Sequence, residues 1–111
     1  MREVVIVQAV RTPMGRRNGV LSGIHPNELG AKVLNEVVKR AGIESGMVED
    51  VVFGCVDQVG EQGANVARNV LLTADFPYTV PATSVDRQCG SSQQAMHFVA
   101  QGVMAGAYDI A

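Results

Sequence analysis

The 111-residue sequence has no tryptophan, few other aromatic residues, and no run of lysine or arginine. Charged residues make up 18% of the chain and leave a net charge of −2. A nucleic-acid-binding surface usually shows clustered basic residues, so this class of function is excluded. No apolar run is long enough to span a membrane, and residues 2–10 are too short and wrongly flanked for a signal peptide. We therefore expect a cytoplasmic enzyme or binding protein of about one domain.

Cysteine and histidine are also scarce. Only Cys55 and Cys89, with His25 and His97, are present, and they form neither a CxxC motif nor a metal-ligand spacing. Free thiols in a reducing compartment, with no bound metal, are the better interpretation. No GxGxxG follows a predicted strand and no GxxxxGK[ST] occurs, which excludes dinucleotide-binding and phosphate-loop motifs.

Apolar runs and helical periodicity alternate along the chain. The pattern predicts strands at 4–10, 50–56 and 79–88, helices at 25–42, 64–75 and 91–107, and the beginning of a fourth strand at 108–111. In the first helix we expect Leu29, Val33, Val37 and Ala41 to line one apolar, buried face. The order β-α-β-α-β-α-(β) indicates an α/β fold in layers, with partly parallel strands and right-handed crossovers.

The third predicted helix has no charged face. From Gln88 to Tyr108 no side chain is formally charged if His97 is neutral, yet several glutamines make the segment too polar for lipid. A helix without a charged face is usually enclosed by protein, so we expect a buried central helix. Because 111 residues offer too little material to enclose it, the covering should come from more of the same chain, a second subunit, or both.

The start of this helix has a pattern suited to chemistry. Ser91 and Gln94 match the capping box, and Gly90 allows close approach of backbone. Cys89 lies between strand end and helix start, where unpaired amides favour a thiolate and could hold the oxyanion of an acyl transfer. Free cysteine is also among the most buried residue types, and composition alone favours a structural role for Cys89. For Cys55, in mid-strand, the structural interpretation is stronger still.

The histidines supply no local partner for Cys89. His97 lies eight residues further on, about 12 Å along a helix axis and outside hydrogen-bond reach. His25 precedes Pro26 at a predicted helix start, and a surface or capping role is expected there. A histidine that activates Cys89 would therefore lie outside these residues.

Residues 85–96, "VDRQCGSSQQAM", resemble the nucleophile motif of the thiolases, whose usual form is V-N-R-x-C-x-S-G-x-Q-A. Further matches follow in the family's order: "AVRTPMG" after the first strand, "ELGAKVL" in the first helix, "GANVARN" opening the second, and "VPATSVDRQC" leading to the cysteine. The resemblance covers essentially the whole chain. Several motifs in the correct order are far more specific than any one of them.

The resemblance implies a thiolase fold, with residues 1–111 as an incomplete N-terminal domain. Thiolases cleave 3-ketoacyl-CoA with coenzyme A, or run the reverse Claisen condensation, through an acyl-cysteine intermediate. Cys89 would be the nucleophile and its backbone N–H an oxyanion donor, with coenzyme A and acyl-CoA as substrates and no bound cofactor. The family's other catalytic groups lie C-terminal to these residues, so the 111 residues alone should be inactive.

The resemblance also implies an assembly. In the family, the strand before the nucleophile pairs with its counterpart across a dimer interface, which here would be about Ala82 to Gln88. We therefore expect a homodimer or homotetramer. The stretches "RNGVLSG" and "RQCGSSQQA" look most like the lipid- and steroid-degrading members.

Some positions depart from the family pattern. Asp86 replaces the usual Asn, Ser92 the usual Gly, Val66 a common Pro and Asp75 a common Gly. Ser92 narrows the space beside Cys89, and it leaves open the alternative of a lipid carrier on the thiolase fold that has lost catalysis. A decarboxylating ketosynthase is disfavoured by "RTPMG" and "GANVAR".

Overall fold

The structure is a computed structural model that describes residues 1–111. Its elements are α1 (Pro26–Ala41), β1 (Val51–Gly54), α2 (Val66–Thr73), β2 (Ala82–Val85) and α3 (Ser91–Ala105), with single 3-10 turns at Ser45–Met47 and Gly60–Gln62. The predicted α/β class, the three helices and the second and third strands are confirmed. Each element is shorter than predicted because its ends are occupied by turns and caps.

The two strands form a parallel pair, in register from Val51 opposite Ala82 to Gly54 opposite Val85. Cys55 continues the pairing, since its N–H donates to the carbonyl of Val85 at 3.0 Å. The connection between the strands carries α2. Because paired parallel strands end at the same edge, Cys55 and the turn after Val85 meet there.

The hydrophobic core lies between α1, α2 and one face of β1. Val70 and Leu71 of α2 are its most completely buried large side chains. Gly30 permits the helices to approach closely, since a Cβ there would lie 2.8 Å from the methyl carbons of Val70. Burial of α1 centres on Ala31 and Leu34.

The predicted buried face of α1 was therefore wrong. Leu29, Val33 and Val37 are only half-buried, whereas Ala31 and Leu34 pack into the core. The helix has two adjacent apolar stripes, and the one beside Gly30 makes the close contact with α2.

Residues 4–10 were predicted as a buried strand, and this was wrong. They form no strand, and Val5, Ile6 and Val7 are 67–73% exposed. Residues 1–15 make no backbone–backbone hydrogen bond. A strand requires a neighbour to receive its backbone groups, and no strand of the described chain lies beside this segment.

The predicted fourth strand at 108–111 is also absent. The Glu49 N–H donates to the Ile110 carbonyl at 2.8 Å, and Ile110 packs partly buried against the core. The segment is thus docked near the start of β1, but one backbone bond is too little to make a ladder.

α3 packs on the other face of β1. Successive strand residues point to opposite faces, so Val51 and Cys55 enter the core while Gly54 points towards α3. As expected, these 111 residues do not enclose the helix: only Ser91 and Ala95 are buried, because β1 covers one side and nothing in these residues covers the rest. None of the helices is both long and apolar enough to cross a membrane.

Candidate functional site

Cys89 lies on a tight turn between β2 and α3. It is a free, exposed cysteine, so it is not part of the core that these 111 residues form. Cys55, in contrast, is free and buried, which confirms its structural interpretation. The predicted placement of Cys89 between strand end and helix start is confirmed.

The turn reverses the chain within a few residues. Gln88 has a left-handed backbone with φ of 49°. The N–H of Gly90 donates to the Arg87 carbonyl at 3.0 Å, and that of Ser91 to the Gln88 carbonyl at 3.1 Å. This short path carries the chain from the strand edge into the first turn of α3.

Several amides at this point remain unpaired. The N–H groups of Cys89, Ser92 and Gln93 donate to no acceptor in the chain. Unpaired amides at a helix start attract negative charge. The thiol of Cys89 therefore lies among backbone donors that could receive an oxyanion.

Two side chains brace the turn. The Asp86 carboxylate Oδ1 accepts from the Gln88 N–H at 2.8 Å. The Ser91 hydroxyl accepts from the Arg87 N–H at 2.9 Å and donates to the Gln88 carbonyl at 2.6 Å. Ser91 is only 4% exposed, so both of its bonds are shielded from water.

The predicted capping box was therefore wrong. Ser91 is the first residue of α3, and its hydroxyl faces back into the turn rather than forward to the first-turn amides. The Gln94 side-chain carbonyl accepts from the Arg87 guanidinium instead of from the cap. The N-cap position belongs to Gly90, which has no side chain to offer.

The start of α3 rests directly on the backbone of β1. A Cβ built at Gly54 would lie closer than 3.0 Å to the nitrogen of Ser92 and the carbonyl carbon of Ser91. Only glycine leaves room for this contact. The position of the Cys89 turn relative to the sheet therefore depends on the absence of a side chain at residue 54.

Polar side chains at the start of α2 fix the strand that leads to Cys89. Asn65 donates to the Ala82 carbonyl at 3.0 Å and accepts from the Ser84 hydroxyl at 2.8 Å. The Arg68 guanidinium donates to the carbonyls of Val80 and Tyr78 at 2.7 and 2.8 Å. Sequence reasoning missed these roles, although "GANVARN" held the signal: an Asn and an Arg at the start of an otherwise apolar helix.

Cys55 is buried and lies beside negatively charged side chains. Its thiol lies 3.8 Å from both the Asp57 carbonyl and the Gln62 side-chain oxygen. Burial, and then the charges of Asp57 and Asp86, raise the pKa of the Cys55 thiol. The residue therefore holds its proton more firmly than an ordinary cysteine.

The two histidines lie away from the turn along the chain. His25 caps α1, since its Nδ1 accepts from the Asn27 N–H at 3.2 Å, which confirms the expected capping role. His97 is exposed in α3. No group of three or more His, Cys, Asp or Glu side chains converges where a metal ion could be held.

A family model described as the thiolase N-terminal domain matches residues 4–111. The chain belongs to the thiolase family. This thiolase chain is 48% identical over 110 residues to the steroid 3-ketoacyl-CoA thiolase FadA6 of Mycobacterium tuberculosis, a match that covers 99% of the chain. It is 47% identical over 111 residues to the 3-ketoacyl-CoA thiolase of Saccharophagus degradans, with 98% of the chain covered. The expected likeness to lipid- and steroid-degrading thiolases is confirmed.

The thiolase chain also matches a solved structure. It superposes on the crystal structure of the Bacillus anthracis acetyl-CoA acetyltransferase with a TM-score of 0.88 and 40% identity, over 94% of this chain and 26% of that one. The thiolase fold is thereby confirmed. The chain spans only 27–28% of the length of the two curated thiolases named above.

Proposed function

We propose that the protein containing these residues is a thiolase that acts on 3-ketoacyl-CoA, with Cys89 as its nucleophile. The observation that carries this proposal is the exposed thiol of Cys89 on a turn whose neighbouring amides are unpaired. The names of the relatives support the substrate class. Coenzyme A and acyl-CoA are substrates in this scheme, and no cofactor is required.

The proposed reaction has two acyl-transfer steps. The Cys89 thiolate attacks the C3 carbonyl of 3-ketoacyl-CoA, the C2–C3 bond breaks, and the departing enolate takes up a proton to give acetyl-CoA. Coenzyme A thiolate then attacks the Cys89 thioester, which releases the shortened acyl-CoA and regenerates the cysteine. Covalent catalysis divides one difficult carbon–carbon cleavage into two easier steps.

The unpaired amides explain why this turn suits the chemistry. Each step passes through a tetrahedral state with a negative oxygen, and backbone N–H donors preorganised around that oxygen stabilise it. In this proposal the Cys89 N–H is one such donor. Neither His25 nor His97 is proposed to activate the thiol. His25 is already engaged as a helix cap.

The assembly proposed is a homodimer or homotetramer joined through the strand region Ala82 to Gln88. Val51 N donates to Pro81 O at 3.2 Å and Cys55 N to Val85 O at 3.0 Å. Since backbone groups alternate sides along a parallel strand, the odd-numbered residues of β2 bond to β1 and the N–H of Ser84 faces away. On that side the Ala82 carbonyl already accepts from Asn65, so the edge is open from Ser84 onward, and an open edge invites pairing with a second copy.

Trapping the acyl-enzyme tests the function. The intact protein is incubated with acetoacetyl-CoA or acetyl-CoA, and acylation is located by peptide mass spectrometry. We expect the acyl group on Cys89, its loss in Cys89→Ala, and its retention in the matched control Cys55→Ala. Labelling at Cys55, or none in a folded protein, would refute the nucleophile; acyl-CoA binding without labelling would support the lipid-carrier alternative.

A further inference from the structure

The backbone of Gln88 has a conformation that its side chain does not favour. Five non-glycine residues have positive φ, and three of them are Asn or Asp, which tolerate this region. Gln88, with φ of 49°, is an exception, and it immediately precedes Cys89. Such outliers persist only where surrounding structure enforces them, and they are found disproportionately at functional sites.

The conformation of Gln88 determines where Cys89 points. If Gln88 adopted ordinary right-handed or extended torsions, the peptide that follows would rotate. The Cys89 N–H and the Cys89 side chain would then leave their present directions. The proposed nucleophile and one proposed oxyanion donor thus depend on a single unfavourable torsion.

Side chains of two residues enforce this torsion from opposite ends. The Asp86 carboxylate holds the Gln88 N–H, and the Ser91 hydroxyl holds the Gln88 carbonyl. Ser91 also accepts from the Arg87 N–H, which fixes the peptide between Asp86 and Arg87, one residue before Gln88. Both backbone polar groups of Gln88 are therefore bound by side chains.

We infer that Asp86 and Ser91 are positioning residues for the nucleophile. They hold Gln88 in its left-handed conformation and so aim Cys89, without touching the substrate themselves. This inference rests on the proposed function of Cys89. It also gives a role to Asp86, which differs from the usual family residue: a carboxylate and an amide oxygen can both accept from the Gln88 N–H.

Variants at residues 86 and 88 separate positioning from general stability. Asp86→Ala removes the acceptor, whereas Asp86→Asn keeps an oxygen in the same place. Gln88→Gly removes the steric cost of positive φ, so it should restore function to Asp86→Ala. Both positions are exposed in these 111 residues, but they also lie in the region proposed to join two copies. The mass of each variant is therefore measured by sedimentation equilibrium beside its activity, so that lost assembly is distinguished from lost positioning.

The experiment measures kcat, KM and the rate of Cys89 acylation by acetoacetyl-CoA in the intact protein. For Asp86→Ala we expect kcat and the acylation rate to fall about 10- to 100-fold with little change in KM, as a small misplacement of a reacting group can do. Asp86→Asn should stay near the wild-type rate, and the double variant Asp86→Ala with Gln88→Gly should recover most of the loss. Asp75→Ala is the matched control, since Asp75 is left-handed at the end of α2.

The outcomes separate the two proposals. Wild-type acylation of Cys89 with an unchanged rate in Asp86→Ala would overturn this inference alone. A folded Asp86→Ala variant that Gln88→Gly fails to rescue would also overturn it. No acylation of wild-type Cys89 would overturn the proposed function and this inference with it. Because Ser91 is buried, Ser91→Ala can lose activity by unfolding, and the test depends on the Asp86 and Gln88 variants.

Discussion

The two cysteines follow paired strands but have opposite environments. Cys55 is enclosed beside the carbonyl of Asp57 and the side chain of Gln62, whereas Cys89 is exposed on its turn. Reactivity of a cysteine depends on access and on its thiolate fraction. A single residue type therefore has a packing role at one strand end and the proposed catalytic role at the other.

The difference between the cysteines predicts an order of alkylation. At about pH 8 in the native intact protein, iodoacetamide should modify Cys89 well before Cys55, because Cys55 is buried and its pKa is raised above that of an ordinary thiol. A raised thiol pKa means that the thiolate of Cys55 forms only at higher pH, so its alkylation rate should rise later in a pH series than that of an ordinary thiol. Peptide mapping over a pH series measures both rates.

Asp57→Asn provides the corresponding check on cause. Removing this negative charge should lower the pKa of Cys55 and move its alkylation curve to lower pH. The curve of Cys89 serves as the internal reference. An unmoved Cys55 curve would leave burial and the charge of Asp86 as the causes, and equal rates for the two cysteines would contradict the prediction.

At the scale of elements, glycines decide how closely the layers approach. Gly30 brings α1 against Val70 of α2, and Gly54 brings β1 against the first turn of α3. In each case a side chain would occupy space already filled. The packing that positions the Cys89 turn is therefore made by backbone as much as by apolar side chains.

Gly54→Ala should disturb this packing. Its added methyl would collide with backbone atoms of Ser91 and Ser92, which cannot rotate away, and overpacking of this kind typically costs about 1–3 kcal/mol. We expect a lower Tm for the intact protein and slower acylation of Cys89. Gly23→Ala is the matched control, because nothing lies within 4 Å of a Cβ there and its Tm should barely change. An unchanged Tm for Gly54→Ala would show that α3 can shift freely.

The sequence predicted elements better than it predicted their surroundings. Local pattern was sufficient for α1, where Pro26 at the first helical position and the Gly42 cap follow known preferences. It failed at residues 4–10, because β-branched residues favour strands, but a strand also needs a neighbouring strand to hydrogen-bond with. It failed at Ser91 because the helix begins one residue earlier than the capping-box pattern requires, with Gly90 rather than Ser91 as the N-cap. No pattern in the sequence predicts the left-handed backbone of Gln88.

For the whole molecule, the apolar residues that remain exposed lie mainly in two places. One is the extended segment with Val5, Ile6 and Val7, and the other is α3, where Met96 and Phe98 lie on opposite flanks of the helix. Exposed apolar surface of this kind commonly marks a contact with other protein. The absence of charge along α3 predicted this surface, whereas motif order along the chain predicted the family.

The proposed assembly predicts a mass above that of a monomer. Sedimentation equilibrium of the intact protein should give at least a dimer. Ser84→Pro should lower that mass, because proline removes the N–H that faces away from β1. Ser84→Ala is its control, since it loses only the hydroxyl bonded to Asn65 and to the Ala67 N–H. A monomer mass that does not change with concentration would contradict the assembly.

The contact between Gly54 and the start of α3 also limits motion. It joins a strand to a helix without any rotatable side-chain bond, so rotamer changes at residue 54 cannot loosen it. The first turn of α3 can move relative to β1 only if the main chain of one of these elements moves. Motion of the thiol should therefore come from its own χ1 rotation and from torsions within the turn, such as those of Gln88, rather than from sliding of the helix over the sheet.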